Sequence, residues 1–171
     1  DFEKMDGGKL IVRSAKDGEV VEILDGQKFK LDREILVLAD SLGALDIAGI
    51  KGGKRAEISS GTKKILLTAG NFDGVSIYKT SRKLRLVTDA SVRFSHYLSP
   101  GLVEIGVKRA GELIEEICNG RAGKLADIYP KKVSKRIIKF DIKRFNQFSG
   151  LNLKKSEALN YLKKLNFSTK G

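Results

Sequence analysis

Residues able to do acid–base, nucleophilic or metal chemistry are few in this chain. His96 is the only histidine and Cys118 the only cysteine among 171 residues. A serine triad needs a histidine between nucleophile and acid, and a zinc centre built on Cys pairs or paired His needs several such ligands, so neither is assembled here. His96, beside Tyr97 at a helix entrance, reads as structural. Cys118 lies at the edge of an apolar stripe with no His nearby in sequence, and reads as a buried structural thiol. Gly49-Ile50-Lys51-Gly52-Gly53-Lys54-Arg55 has the glycine and lysine content of a phosphate-cradling loop. It departs from one where Ala48 replaces the first glycine and Arg55 replaces the hydroxyl after the lysine. Gly52-Gly53 is therefore read as a tight turn or a close backbone approach to a ligand. Thr88-Asp89-Ala90-Ser91 is a small polar cluster suited to a turn or a helix cap.

The positive charge is unevenly placed. Residues 1–119 carry 19 Lys+Arg against 18 Asp+Glu, whereas residues 120–171 carry 14 against 3. Nearly all of the net +12 thus lies on the last third, which suggests two units of which the second faces a polyanion. A solvated Lys-rich face is the alternative on charge alone. Hydrophobic residues at 41% with two prolines exclude a disordered or collagen-like chain, and 171 residues suffice for a core without disulfide or metal staples. No stretch approaches 18 uninterrupted apolar residues, and Asp1-Phe2-Glu3-Lys4 does not begin a secretory signal, so a soluble protein of a reducing compartment is expected.

The first 70 residues read mostly as strands. Lys9–Arg13, Glu19–Leu24, Gln27–Leu31, Ile35–Asp40, Leu45–Ile50 and Lys64–Ala69 are the candidates, with Asp25-Gly26 as a two-residue hairpin turn. Asp73 is placed to cap a helix over about 74–85. Ser99-Pro100 opens a longer helix whose apolar positions Leu102, Val103, Val107, Ala110, Leu113, Ile114 and Ile117 recur at helical spacing up to Gly120. That helix is expected to share a core with the sheet. Residues 121–136 read as a connector with a charge run, and Arg136–Phe140 as a strand. Asp141 caps a short helix through Phe148, ended by Gly150, and Lys155–Leu165 forms a second with Leu159, Leu162 and Leu165 inward. The expected fold class is α/β, a mixed sheet with helices, over residues 1–119, followed by a small basic α+β unit with two short helices over 120–171. The Lys- and Arg-bearing helices of the second unit also have the look of a helix-turn-helix, a reading that leaves the sheet-rich first unit unexplained. Charge alone licenses only contact with backbone phosphates.

Several segments go further together. Phe72 to Leu84, Leu86 to Phe94, Leu36 to Asp40, Ala48 to Gly53, and Val133 to Leu153 with its Leu-Asn-Leu resemble, in order, parts of the bacterial phenylalanyl-tRNA synthetase beta subunit. The resemblance implies that 1–119 is part of the editing domain and 120–171 the truncated start of the small domain that follows. It implies a proofreading hydrolase within a ligase, cutting tyrosine from mischarged tRNA(Phe). An apolar phenylalanine pocket cannot strongly reject an analogue that merely adds a hydroxyl, so a second site that hydrogen-bonds the phenol must remove the error. An activated ester needs no His or Cys nucleophile when a held water suffices.

By the same resemblance Thr88 and Ala90 match the family's Thr-x-Ala, with Thr88 positioning substrate or water and Ala90 leaving room for the ring. Gly52 keeps the pocket open, and Thr68 stands where the family usually has a glutamate, as a neutral acceptor for the phenol. Ser95-His96-Tyr97 replaces the family's Glu-Arg-Gly after Arg93-Phe94. The family's pocket histidine would precede Asp1 and its acidic magnesium-associated motif would follow Gly171, so an excised segment is expected. The implied partners are tRNA(Phe) and the synthetase alpha subunit in a heterotetramer, with no membrane and no DNA. The segment itself is expected to use no cofactor and hold no metal, the parent enzyme ATP and magnesium, in the cytoplasm. An editing-inactive structural and tRNA-binding module of the same subunit is the alternative function.

Overall fold

A computed structural model describes residues 1–130, 132–134 and 136–170. It divides into two compact units, Asp1–Asp127 and Ile128–Gly171. Lys131, Lys135 and Gly171, of which the two lysines belong to the expected connector, lie outside the described residues.

The first unit is built on a four-stranded antiparallel sheet of order β1 (Ile11–Ser14), β4 (Leu36–Ala39), β5 (Ala44–Ile47), β6 (Lys51–Gly52). A hairpin of β2 (Val20–Glu22) and β3 (Lys28–Lys30) forms a second sheet. With three helices beside these strands, the expected α/β class holds. Val37 pairs with Ile47 in register, and both join Ile23, Leu31, Ile35 and Ile77 in the buried core. Leu38, Asp46 and Gly52 also pair in line, so the pleat sets them together on the opposite face. Two adjacent registers therefore divide labour. One makes the core, and the next is free to line a site.

The hairpin turn differs from the expected two-residue form. Ile23 N–H donates to Gln27 O (2.9 Å) and Gly26 N–H to Ile23 O (2.8 Å), leaving a three-residue loop. Only Gly26 has positive φ (87°), as a turn with a single left-handed position requires.

The strand expected over Lys64–Ala69 does not form. The outer edge of β6 is already occupied, because Leu24 N–H donates to Gly52 O (3.1 Å) and Lys54 N–H to Glu22 O (2.8 Å). Lys64 instead accepts from Phe2 N–H (3.0 Å) at a 3-10 turn over Phe2–Lys4. The run therefore pairs with neither sheet.

Three helices follow in this unit. α1 (Gly74–Leu84) is capped by Asp73, whose side chain accepts from Ser76 N–H, and it buries Ile77. α2 (Asp89–Phe94) starts at Thr88 in a reciprocal capping box with Ser91. α3 (Gly101–Cys118) ends on left-handed Asn119, one residue before the expected Gly120. No residue of α3 is fully buried, so the sheet and this helix do not share a core as expected. Val103, Val107, Ala110, Leu113 and Ile114 are only half-buried, and Leu102 and Ile117 are exposed. Cys118 is exposed rather than a buried thiol, since it lies on the last turn past that stripe.

The second unit carries α4 (Ile142–Ser149), capped by Asp141 and ended by Gly150 as expected, and α5 (Lys155–Lys164). Ala158 is buried and Leu159 and Leu162 are half-buried, but Leu165 lies beyond the helix and is exposed. The expected strand over Arg136–Phe140 is not formed, and Ile137 and Ile138 are exposed without a strand partner among the described residues.

Two ion pairs pin the loops around the sheet. Arg55 forks onto buried Asp40 (2.7 Å to each oxygen), which also accepts from the N–H groups of Asp6, Leu42 and Gly43. Arg13 forks onto Glu19 (2.8 and 2.7 Å), which also accepts from Lys16 and Ala44 N–H. The Arg13 guanidinium holds the Glu19 carboxyl down at about 2, and Arg55 holds that of Asp40 well below the usual carboxylate range. Depressed carboxylates contribute stability that is complete above their unfolded values and lost as pH falls through their folded ones. Urea-unfolding stability is therefore expected to be flat above about pH 5 and to fall between about pH 4.5 and 2. Arg55→Met at neutral pH leaves a buried carboxylate uncompensated and is expected to cost about 2–4 kcal/mol. Arg55 is itself 35% exposed, which holds the loss below that of a fully buried pair.

Candidate functional site

The face opposite the core opens into a cavity of about 430 Å³ in the first unit. Its floor includes Leu38, Asp46 and Gly52 from the sheet. Its walls come from Thr68 to Phe72, from Ala90 and Phe94 of α2, and from Leu102, Val103 and Gly106 of α3. Phe72 and Phe94 meet edge to face, ring centroids 5.0 Å apart. Asn71 Nδ2 donates to Leu98 O (3.0 Å), tying the irregular segment to the approach of α3. A largely apolar cavity of this size with a few polar groups is of the kind that takes a small aromatic ligand.

Three of the four residues singled out from the sequence come together here. Gly52, Thr68 and Ala90 all line the cavity, Gly52 and Ala90 half-buried and Thr68 exposed at the rim. Thr88 does not line it. Its hydroxyl donates to Ile50 O (2.8 Å) and accepts from Ser91 N–H (3.1 Å), so it holds the start of α2 against the Ile50 turn and thereby sets the place of Ala90 two residues on. Thr88→Ala removes the cap and this tie together and is expected to cost about 1–2 kcal/mol. Thr88→Ser should restore most of it, read as the urea-unfolding midpoint. His96 stands outside the cavity, exposed, with Nδ1 2.8 Å from Val92 O.

Asp46 is the residue that sequence reasoning passed over. Its signal was a lone acid inside an apolar strand, Leu45-Asp46-Ile47-Ala48. It is half-buried, its Oδ1 accepts from Gly53 N–H (2.9 Å), and burial raises its carboxyl above the ordinary aspartate value. The other glycine of the pair, Gly53, serves the sheet: a Cβ there would stand 1.8 Å from Leu45 O. Among the described residues no three His, Cys, Asp or Glu side chains are gathered in a group that could hold a metal ion.

Residues 1–119, the whole of this cavity included, match the family model described as the B3/4 domain. The chain belongs to the B3/4 domain family. Over nearly its entire length it is also similar to phenylalanine–tRNA ligase beta subunits. That of Clostridium acetobutylicum is 36% identical over 170 residues, covering 99% of this chain and 22% of the relative. That of Carboxydothermus hydrogenoformans is 35% identical over 168 residues, covering 98% and 21%. That of Brucella suis is 34% identical over 164 residues, covering 96% and 20%. The chain thus spans about a fifth of the length of these relatives, and carries the B3/4 domain together with the basic segment that follows it. No helix among the described residues is long and apolar enough to cross a membrane.

Proposed function

We propose that this B3/4 domain is the proofreading part of a phenylalanine–tRNA ligase beta subunit, and that its cavity takes the tyrosyl end of mischarged tRNA(Phe) and hydrolyses the ester. The observation that carries the reading is the convergence of Ala90, Gly52 and Thr68 on one 430 Å³ cavity walled by Phe72 and Phe94. Ala90 and Gly52 leave the space for a ring, and the two phenylalanines supply apolar surface for it. Thr68, which the resemblance casts as acceptor for the phenol, is exposed at the rim, and in this reading its hydroxyl serves instead the ester and ribose that a bulky tRNA keeps at the solvent side. Thr88 acts through Ala90, by fixing the start of α2. Water adds to the ester carbonyl, the bond to the terminal ribose oxygen breaks, and that oxygen takes up a proton. Tyrosine and intact tRNA leave.

In this reading the rest of the ligase, with its alpha subunit, ATP and magnesium, performs the charging step. The basic segment from residue 120 meets the tRNA backbone. The Thr88 hydroxyl, committed within the fold, favours a second reading in which the domain is an editing-inactive structural and tRNA-binding module. Deacylation of preformed tyrosyl-tRNA(Phe) and phenylalanyl-tRNA(Phe) by the complete ligase separates the two. Proofreading gives fast loss of the tyrosyl ester alone. Loss of both esters at the uncatalysed rate leaves the structural module.

A further inference from the structure

We infer that Asp46 is the specificity-determining acceptor of this cavity, taking a hydrogen bond from the phenol hydroxyl of a tyrosyl ligand. The inference rests on the proofreading reading for the identity of that ligand. Its physical basis is the placement of Asp46. Register sets it between Leu38 and Gly52 on the cavity face of the sheet. A Cβ on Gly52 would come within 3.9 Å of Asp46 Oδ1 and 3.3 Å of Leu24 Cδ1, so the missing side chain keeps open the space beside the carboxylate. Gly53 N–H anchors Oδ1 at 2.9 Å and fixes the carboxylate's direction. Among the described residues no Lys or Arg side chain forms an ion pair with it, and the pull of the Asp1 ammonium on its charge is outweighed by burial.

A desolvated carboxylate with one backbone donor gains from a further donor, which agrees with the upward push that burial gives its pKa. Depth selects which donor arrives. The ester, the α-ammonium and the ribose are joined within a few bonds and must stay at the solvent side with exposed Thr68. Only the far end of the amino-acid side chain reaches the half-buried floor. That end is a hydroxyl in tyrosine and a bare ring edge in phenylalanine. A phenylalanyl ligand would therefore bury the Asp46 carboxylate against carbon with no donor, a strongly discriminating mismatch.

The test uses the complete ligase, wild type beside Asp46→Ala and Asp46→Asn, with preformed tyrosyl- and phenylalanyl-tRNA(Phe). Asp46→Ala is expected to lower kcat/KM for the tyrosyl ester by about 10- to 100-fold, with the phenylalanyl ester far less affected, so that the preference collapses. Asp46→Asn keeps a neutral acceptor and the Gly53 anchor, and should lose about 3- to 10-fold. An unchanged preference, or equal losses on both esters, overturns the role of Asp46. Binding of the non-hydrolysable 3′-tyrosylamino- and 3′-phenylalanylamino-adenosines is measured in parallel. If the wild type cleaves neither ester yet binds the tyrosyl analogue preferentially and only with Asp46 intact, hydrolysis fails and the acceptor stands. If it binds neither preferentially, the acceptor falls as well.

Discussion

Ala90→Trp is expected to abolish deacylation of tyrosyl-tRNA(Phe), lowering it by about 100-fold or more. Ala90 is the second residue of α2, where the helix start is fixed by the Thr88–Ser91 capping box and by Thr88 bonding to Ile50 O. Its side chain lines the cavity wall near Phe94, four residues on in the same helix. An indole at this point has little freedom to swing away, because the cap holds the backbone from which it projects. It occupies volume in a cavity sized for about one aromatic ligand, so the loss is one of access rather than of a reacting group. The measurement is the first-order loss of label from tyrosyl-tRNA, with charging of tRNA(Phe) by the same preparation as the check on assembly. Ala90→Ser, which adds one atom and can satisfy its own hydroxyl, should lose less than about 10-fold. Equal rates for wild type and Ala90→Trp would mean that tyrosyl ester does not enter this cavity.

Much of the fold was legible where local chemistry and tertiary packing agree. Asp73 and Asp141 each cap the helix that their position announced, because a carboxylate before an apolar-periodic run has few better partners than the free N–H groups at its start. β4 and β5 were legible because a run of branched apolar residues broken by Ser41-Leu42-Gly43 has one economical folding, an antiparallel pair. The failures share a cause. Lys64–Ala69 and Arg136–Phe140 have strand composition, but a strand exists only where a neighbouring strand pairs with it, and composition does not report pairing. The stripe of α3 has helical period, but period says which face is apolar and not what covers it.

The site divides in the same way. Gly52, Thr68 and Ala90 were reached through family resemblance, since a small residue in a cavity wall has no compositional signature of its own. Thr88 was read with them, yet a threonine before a helix has a cap to make, and it makes that one. Asp46 needed the sheet register, which turns a lone acid in a strand into a floor residue beside a glycine.

Gly53→Ala is expected to be the most destabilising of the single methyl additions to this chain, at about 4 kcal/mol or more. The new Cβ would stand 1.8 Å from Leu45 O, 2.9 Å from Leu45 C and 3.3 Å from Glu22 O, all of them backbone atoms. No rotamer change relieves such a clash. The strands must separate, and with them go the bridge between Ile23 and Gly53 and the N–H bond from Gly53 to Asp46. Gly52→Ala, one residue earlier, meets side-chain atoms only, Leu24 Cδ1 at 3.3 Å and Cγ at 3.8 Å and Asp46 Oδ1 at 3.9 Å, and should cost about 1 kcal/mol. Gly61→Ala has nothing within 4 Å and should be neutral or slightly stabilising. The order in urea-unfolding midpoints, Gly53→Ala far below Gly52→Ala and Gly61→Ala highest, checks the close approach directly. A Gly53→Ala midpoint near that of Gly52→Ala would mean that the β5–β6 contact is looser than the structure shows. The two adjacent glycines then have separate reasons to lack a side chain. Gly53 lets two backbones meet, and Gly52 leaves room beside Asp46. The catalytic consequence of Gly52→Ala should therefore exceed its cost in stability, while for Gly53→Ala loss of the fold comes first.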